Sequence, residues 1–182
     1  GYLLHKILDD PFIYTTQKID HSCEHVVPKT YCTNKNIASD MHNIYITASN
    51  INNKRAILKF NKLKKGKYIN EKGKTKKSSS VNTYNHQYFE PEKFSKGRVS
   101  RACAYFFLIY DNVADNVIDI DIMKNWCIQN RPNKSEIKRN YFIFQVQKTV
   151  NPFIIYPELI NHIFNEKHIT KVNPTKEKYK SL

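Results

Sequence analysis

Three side chains in the first third of the chain have the chemistry of a metal-dependent hydrolase. Glu24 and His25 are adjacent, and Asn52 follows them. Mg²⁺ prefers oxygen ligands and keeps several of its waters, so one carboxylate and one amide carbonyl can hold it. A neutral imidazole nearby can then accept a proton from an attacking water. These residue types, in this order, indicate phosphodiester hydrolysis assisted by one hard metal ion.

Each of the three residues also has an ordinary structural interpretation. A lone histidine at a strand end is usually structural, a lone glutamate is usually a surface charge, and a lone helical asparagine is usually solvated. Only their occurrence together in one ordered set favours chemistry over these interpretations.

The local pattern predicts two strands and a helix around these residues. The segment 24–27 is short, contains two β-branched valines and is closed by Pro28, which is typical of a strand end. Residues 43–47 alternate polar and apolar side chains and predict the partner strand. A helix is expected over about 48–60, with one stripe formed by Ile51, Arg55 and Leu58. This helix places Asn52 one turn from its start, where its side chain can face the first strand.

Apolar residues at helical spacing predict several helices in the second half of the chain. One buried stripe comprises Val99, Cys103, Phe106 and Tyr110, and a shorter one comprises Ile118, Ile122 and Trp126. A further helix is predicted after a capping box of Asn133 and Glu136, with its buried stripe at Ile137, Tyr141 and Phe144. Near the start of the chain, a short helix is expected from Leu3, Leu4, Ile7 and Leu8.

The chain carries a large excess of positive charge. It has 30 lysines and arginines against 16 acidic residues, a formal charge of +14. This is the electrostatic footprint of a polyanion binder, although a basic surface also confers solubility or attracts anionic lipid. The charge is dense in residues 61–83, an expected flexible basic loop, and in a basic tail at 167–182. The loop lysines expected to contact phosphates, rather than only solvent, are Lys62, Lys64, Lys65, Lys67, Lys74, Lys76 and Lys77.

Length and composition favour a single domain over residues 1–182. The longest apolar run, residues 102–110, is about half of what a membrane span requires, so no membrane partner is expected. The chain opens with Gly1 rather than Met, which is typical of a mature fragment, and on that interpretation we expect a leader to have been removed. A bias towards Lys, Asn, Ile and Tyr leaves a viral or intracellular source open. We expect a monomer.

Four blocks of residues carry a family resemblance. They are Glu24-His25-Val26-Val27-Pro28; Asp40-Met41-His42-Asn43 followed by Asn52 and Arg55; Phe89-Glu90-Pro91 followed by Lys96-Gly97-Arg98-Val99-Ser100-Arg101-Ala102; and Trp126, Glu136, Arg139-Asn140, Gln147 and Asn151-Pro152-Phe153. In this order they resemble the bacterial endonuclease I family, whose members include non-specific nucleases of the His-Me finger, or ββα-metal, superfamily. The resemblance covers roughly residues 22–154.

The resemblance implies a fold, a metal and a substrate. The fold class is α+β, mainly helical with a small ββα-metal core, and the predicted strand–strand–helix order agrees with it. Glu24 and Asn52 are implied to hold Mg²⁺, for which Mn²⁺ or Ca²⁺ can substitute, and His25 is implied to be the general base. DNA is the implied partner, with RNA an open alternative, and the implied location is secreted or periplasmic. His42 and Asn43 are expected to brace this site.

Four arginines are candidates for phosphate contacts, since a guanidinium fork matches phosphate oxygens. We expect Arg101 or Arg139 to act in catalysis beside the scissile phosphate, and Arg55 and Arg98 to bind the nucleic acid. The alternative is a buried network in which Glu136 pairs with Arg139 or Arg101.

The chain departs from the family pattern at three places. Lys148-Thr149 replaces a Gly-Asn pair, and Asn53-Lys54 replaces a Gly-Asp pair. The connection between Pro28 and Asp40 is short and contains no arginine, whereas some relatives carry a phosphate-clamping arginine there. The cation that stabilises the transition state is therefore an open question.

The four cysteines allow a different chemistry. Cys23, His25, Cys32 and His42 provide the donors of a Cys₂His₂ zinc site, although the spacing of the two cysteines is unlike the usual tight pattern. A Cys23–Cys32 disulfide or free thiols are the other possibilities.

Together these observations predict a Mg²⁺-dependent endonuclease with little sequence preference that leaves 5′-phosphate ends. The alternative is a basic nucleic-acid-binding or packaging protein on a nuclease scaffold, with catalysis weakened or lost.

Overall fold

The computed structural model describes residues 20–74, 81–110 and 113–165, and its architecture is α+β, as predicted. The described helices are α1 Lys35–Ala38, α2 Ser49–Arg55, α3 Lys93–Ile109, α4 Ile120–Gln129, α5 Lys134–Gln147, α6 Pro152–Ile155 and α7 Leu159–Ile163. The described strands are β1 His21–His25, β2 Ile44–Ala48, β3 Lys59–Phe60, β4 Lys67–Asn70, β5 Gly73–Lys74, β6 Asn82–Tyr84 and β7 Tyr88–Glu90. The helix expected near Leu3 and the basic tail at 167–182 lie outside the described residues.

The first sheet is the antiparallel pair of β1 and β2, which α2 follows directly. The register runs from His21 opposite Ala48 to His25 opposite Ile44. The predicted order of strand, connection, strand and helix is therefore present. The helix is shorter than expected, because Ala56 adopts a positive φ of 45° and ends it. Residues 59–60, expected to be helical, instead form β3.

The second sheet has five strands in the order β3-β7-β6-β4-β5, and the sequence pattern did not predict it. β3 pairs with β7 in parallel, and the other pairs are antiparallel. β4 and β5 lie inside the segment 61–83 that we expected to be a flexible loop, so that expectation was wrong for these residues. The reason is that Ile69 is buried on β4 and supplies an apolar anchor between the lysines.

The helical half packs around α3. Val99, Cys103 and Phe106 are buried on this helix, as their spacing predicted. Gly97 lies where α3 meets the end of α4, and a Cβ there would lie 2.2 Å from the Asn130 carbonyl oxygen. A side chain at this position would push the two helices apart. Among the described helices, none is long and apolar enough to span a membrane.

Helix α5 has the predicted start and a different buried face. The Asn133 side chain caps it by accepting a hydrogen bond from the Glu136 N–H, as expected. The expected buried stripe is wrong, since its three residues are 53%, 66% and 41% exposed: Ile137, Tyr141 and Phe144. Glu136, Asn140 and Ile143 face inward instead. Glu136 and Asn140 have buried partners on α3 and at the start of α6. These contacts determine which face of α5 points inward.

Candidate active site

A small cavity lies between the β1–β2 hairpin, α2, β7 and the first turns of α3. Its volume is about 110 Å³, well below the size of a pocket for a whole nucleotide, so it suits an ion or one phosphate group. Its polar lining includes Glu24, Tyr45, Asn52, Arg55 and Arg98. The cavity therefore brings together the two metal-ligand candidates and two of the four candidate arginines.

The Glu24 carboxylate points into this cavity from β1. Its Oε1 lies 3.2 Å from an Arg55 guanidinium nitrogen, yet it is buried and has no hydrogen-bond partner among the described residues. Burial raises the pKa of Glu24 to about 7, although the Arg55 charge opposes the shift. This oxygen is therefore a costly buried acceptor that a bound cation would satisfy.

Asn52 lies opposite Glu24 on α2 and faces β1, as predicted. Its amide nitrogen donates to the Ser22 hydroxyl at 2.8 Å and to the Cys23 carbonyl at 3.2 Å. Both strand contacts use the nitrogen and leave the amide oxygen available as a ligand. One carboxylate oxygen and one amide oxygen at a common cavity fit Mg²⁺, which needs few protein ligands because it keeps its waters.

His25 lies on the other face of β1, because successive side chains of a strand alternate. It is half-buried and is not part of the cavity lining. Burial lowers the pKa of His25, and the charges of Lys29 and Arg55 act in the same direction. Hydrogen bonding to the Ala38 and Cys23 backbones opposes the shift. The imidazole is thus neutral at pH 7, as a base must be, but it does not share a cavity with Glu24.

Asn43 and His42 brace the hairpin, which agrees with their expected supporting role. The Asn43 side chain accepts from the Val27 N–H at 2.7 Å and donates to the Val27 carbonyl at 2.9 Å, which holds the end of β1. His42 packs on the Tyr105 ring at 4.5 Å between centroids, and its Nε2 lies 3.3 Å from the Thr149 carbonyl oxygen.

The preceding Asp40 ties the same turn to the helical half. Its buried carboxylate accepts from the Tyr110 hydroxyl at 2.7 Å and from the Gln147 amide at 2.9 Å. The Gln147 oxygen in turn accepts from the Met41 N–H. These family residues therefore connect the hairpin to α3 and α5.

Two of the arginines expected at phosphates are buried and bonded to groups of the protein. Arg101 is 1% exposed and forms a two-pronged ion pair with Glu136 at 2.7 and 2.6 Å. Arg55 is 2% exposed and donates to the carbonyls of His25, Val26 and Ala56. The expectation that Arg101 acts in catalysis and Arg55 binds nucleic acid is corrected accordingly, and the alternative of a buried Arg101–Glu136 network is the arrangement observed.

Arg139 also has a bracing position rather than one beside a phosphate. Its guanidinium donates to the Met41 and Ile44 carbonyls and lies 4.4 Å from the centre of the Tyr45 ring. It supports the wall of the cavity from behind. Arg98, from α3, also lines the cavity.

The lysines of the expected loop lie on the surface where the structure describes them. Those with exposed side chains are Lys62, Lys64, Lys65, Lys67 and Lys72. Lys74 lies in β5, while Lys76 and Lys77 fall outside the described residues. The exposed lysines lie before β4, on β4 and in the turn that leads from β4 to β5, so this end of the second sheet is basic.

The zinc alternative is not supported. Among the described residues, which include all four proposed ligands, no group of three or more Cys, His, Asp or Glu side chains can hold a metal. Cys23, Cys32, Cys103 and Cys127 are free thiols. The Cys23–Cys32 disulfide is therefore absent from the structure.

Tyr45 and Ser22 belong to the site and were not singled out from the sequence. Ser22 orients Asn52, and Tyr45 stands directly opposite Glu24 in the β1–β2 register. The alternation of residues 43–47 predicted a strand, and the pairing register then decides which side chains share its inner face.

The sequence model of the endonuclease I family matches residues 13–158, most of the chain. No curated protein matches the chain.

Proposed function

The chain belongs to the endonuclease I family, and on that premise we propose that it is a metal-dependent endonuclease that hydrolyses DNA with little sequence preference. The observation that carries the proposal is the pair of oxygen donors, Glu24 and Asn52, at one small cavity. The buried Glu24 Oε1, which has no hydrogen-bond partner among the described residues, fits a cation ligand.

Glu24 and Asn52 would hold Mg²⁺, with Mn²⁺ or Ca²⁺ as substitutes. The ion, when bound, supplies positive charge to the scissile phosphate and to the departing oxygen. His25 takes a proton from the attacking water, for which its lowered pKa keeps it ready at neutral pH. Water attacks phosphorus, the bond to the 3′ oxygen breaks, and that oxygen takes a proton from solvent water, so the products carry 5′-phosphate and 3′-hydroxyl ends.

The proposal requires the scissile phosphate to lie at the end of β1, where the faces that carry Glu24 and His25 meet. Glu24 and His25 are the last two residues of β1 and project to opposite faces of the strand. A phosphate at the end of the strand would therefore lie next to both residues. The exposed lysines of β4 and the preceding segment supply sequence-independent attraction to the nucleic-acid backbone. RNA carries the same phosphates and is a second substrate under this proposal.

One observation favours a second function. Because His25 lies outside the cavity that holds Glu24 and Asn52, the chain would bind nucleic acid without cutting it if the two faces do not act together. The protein would then be a basic nucleic-acid-binding protein on a nuclease scaffold. Its binding would be salt-dependent and independent of metal.

The deciding experiment incubates the protein with supercoiled plasmid in Mg²⁺ or in EDTA. We expect nicking in Mg²⁺ and none in EDTA. His25→Ala should reduce the cleavage rate by about 10²–10⁴-fold, the usual contribution of a general base, while DNA affinity stays nearly unchanged because lysines carry it. The exposed His162 provides a matched control, since His162→Ala should leave both quantities unchanged.

Absence of nicking by the parent protein in Mg²⁺, Mn²⁺ and Ca²⁺, with DNA binding retained, would establish the second function instead. Equal losses of turnover and DNA affinity in His25→Ala would remove the base assignment.

A further inference from the structure

Helix α5 carries an apolar stripe on its exposed side. Ile137, Tyr141 and Phe144 have the i, i+4, i+7 spacing of a helix face that packs against another surface, yet all three are exposed. Single exposed apolar side chains are common, but a contiguous apolar stripe on one helix is typical of an interaction surface. These three residues are called the α5 stripe below.

The buried contacts of α5 hold the stripe at the surface. Glu136 pairs with Arg101, and the Asn140 side chain donates to the Asn151 carbonyl, so the polar side of the helix faces the interior. A rotation of α5 that buried the stripe would break the buried ion pair, which is strongly unfavourable. The α5 stripe is therefore a fixed part of the surface of the folded protein.

The charges of α5 indicate which kind of partner fits the stripe. Lys134, Lys138 and Lys148 are exposed on the helix or at its end, and Lys148 also donates to the Gln145 carbonyl. The one acidic residue in the sequence of α5, Glu136, is buried in its ion pair. The exposed side of this helix is thus both apolar and basic. A second copy of the chain would bring like charges together there, whereas an anionic partner with apolar faces is complementary to it.

We propose that the α5 stripe binds single-stranded nucleic acid, with unpaired bases stacked on Tyr141 and Phe144 and the neighbouring lysines near the phosphates. Tyr141 and Phe144 are three residues apart and are therefore neighbours on the helix surface. Aromatic side chains beside positive charge bind single strands with little sequence preference, because every base has a face that can stack.

Membership of the endonuclease I family favours this partner over the other anionic ones. A nuclease family implies a nucleic-acid substrate, whereas an acidic protein or an anionic lipid would need a separate role. No described residue of α5 lines the cavity at Glu24 and Asn52. The inference therefore concerns binding at a second surface and does not depend on the metal chemistry proposed for the cavity.

The test measures affinity by fluorescence anisotropy in EDTA, so that neither probe is cut in a metal-dependent reaction. The probes are a labelled oligothymidylate and a labelled duplex of the same length. The variants of the full chain are Tyr141→Ala, Phe144→Ala and Tyr141→Phe. Tyr156→Ala is the matched control, since Tyr156 is an aromatic residue of similar exposure outside α5. Thermal unfolding and sedimentation velocity are measured for every variant.

Tyr141→Ala and Phe144→Ala should each weaken oligothymidylate binding by about tenfold, which is within the usual effect of removing one stacking side chain. Duplex affinity should stay nearly unchanged, because paired bases are stacked on each other and lysines elsewhere carry that binding. Tyr141→Phe keeps the ring and should bind as the parent does. Tyr156→Ala should change neither affinity, and no variant should lower the melting temperature appreciably.

Oligothymidylate affinity that is unchanged in both alanine variants overturns the inference, and so do equal losses for oligothymidylate and duplex. A dimer of the parent that dissociates in Tyr141→Ala would assign the stripe to a second copy of the chain. A large fall in the melting temperature of Tyr141→Ala would show that another part of the chain covers the stripe. Binding of the parent to phosphatidylglycerol vesicles that is lost in Tyr141→Ala, with oligothymidylate affinity unchanged, would assign the stripe to a lipid surface.

These outcomes are independent of the proposed function. A parent protein that fails to cleave plasmid in Mg²⁺ can still show the loss of oligothymidylate affinity. A parent that cleaves plasmid while both alanine variants bind oligothymidylate normally would retain the proposed function and lose this inference.

Discussion

Two buried polar clusters in this protein differ in how completely their hydrogen bonds are satisfied. In the helical half, Arg101 donates two hydrogen bonds to the Glu136 carboxylate and one to the Asn130 carbonyl at 2.7 Å. The Asn140 side chain donates to the Asn151 carbonyl and accepts from the Asn151 N–H, and the Asn151 side chain donates to the Arg101 carbonyl. Two residues that line the cavity, by contrast, each have a buried oxygen with no hydrogen-bond partner among the described residues: Glu24 (Oε1) and Tyr45 (hydroxyl).

The difference separates scaffold from site among residues that the family resemblance groups together. A buried network in which every polar group has a partner favours one packing arrangement of its helices. Removing one member leaves the remaining polar groups buried without a partner. Unsatisfied buried groups cost stability, so their presence indicates a role in binding. The helical cluster therefore positions α3, α5 and α6, and the cavity cluster is where chemistry is expected.

The largest loss of stability is expected from Arg101→Met, because this change leaves the Glu136 carboxylate buried without its positively charged partner. Breaking a buried ion pair from one side costs about 3–5 kcal/mol, so the free energy of unfolding in urea should fall by that amount. Cleavage per folded molecule should remain close to that of the parent. Retained stability, or a specific loss of turnover in the folded variant, would place Arg101 in the site after all.

An intermediate effect on stability is expected at His42. This residue connects the hairpin to the helical half through its contacts with the Thr149 carbonyl and the Tyr105 ring. Burial lowers the pKa of His42 to about 4, with Asp40 opposing and Arg139 reinforcing the shift. The unfolded chain, with an ordinary pKa near 6.5, therefore binds the proton first as pH falls. Stability from this residue is complete above pH ~6.5 and declines by about 2–3 kcal/mol on acidification to pH ~4.

His42→Gln should flatten this part of the profile of unfolding free energy against pH. The exposed His86 serves as the control, since His86→Gln should leave the profile intact. If the unfolding free energy of His42→Gln falls with acidification as steeply as that of the parent, groups other than His42 cause the fall.

The smallest effect on stability is expected from Glu24→Gln, although its effect on activity is large. The raised pKa of Glu24 shows that burial outweighs the attraction of Arg55, so a neutral amide should change the unfolding free energy by less than about 1 kcal/mol. Arg55 keeps its three carbonyl partners. Cleavage at millimolar Mg²⁺ should fall by roughly 10²-fold and recover partly as metal is raised, because water can replace one ligand.

A destabilisation of Glu24→Gln as large as that of Arg101→Met would erase the distinction between the two clusters. The Glu24–Arg55 contact would then be a structural ion pair rather than part of a metal site. A metal titration identical to that of the parent would lead to the same conclusion.

Local signals in the sequence predicted several elements correctly. The proline after residues 24–27 and the alternation at 43–47 located the hairpin, and the capping residue Asn133 located the start of α5. These features act over a few residues, so the chain's own chemistry is enough to specify them. The stripe of α3 was predicted for the same reason, since its buried members Val99, Cys103 and Phe106 are apolar and recur at helical spacing.

Other features were mispredicted because distant partners decide them. The apolar pattern of α5 favoured burial of Ile137, Tyr141 and Phe144, but the pairing of Glu136 with Arg101 turned the polar side inward. The five-stranded sheet joins short segments from separate parts of the chain, and strands of two to four residues carry too little periodicity to be recognised.

The sequence by itself determined the family, the α+β class and the order of the residues that supply oxygen and imidazole groups, because these depend on residue identity and spacing along the chain. Tertiary structure alone decided which arginines the protein's own groups engage, since Arg101 pairs with the Glu136 carboxylate while Arg55 and Arg139 donate to backbone carbonyls. It also placed Tyr45 opposite Glu24 and His25 on the other face of β1, because strand register and pleat assign side chains to faces.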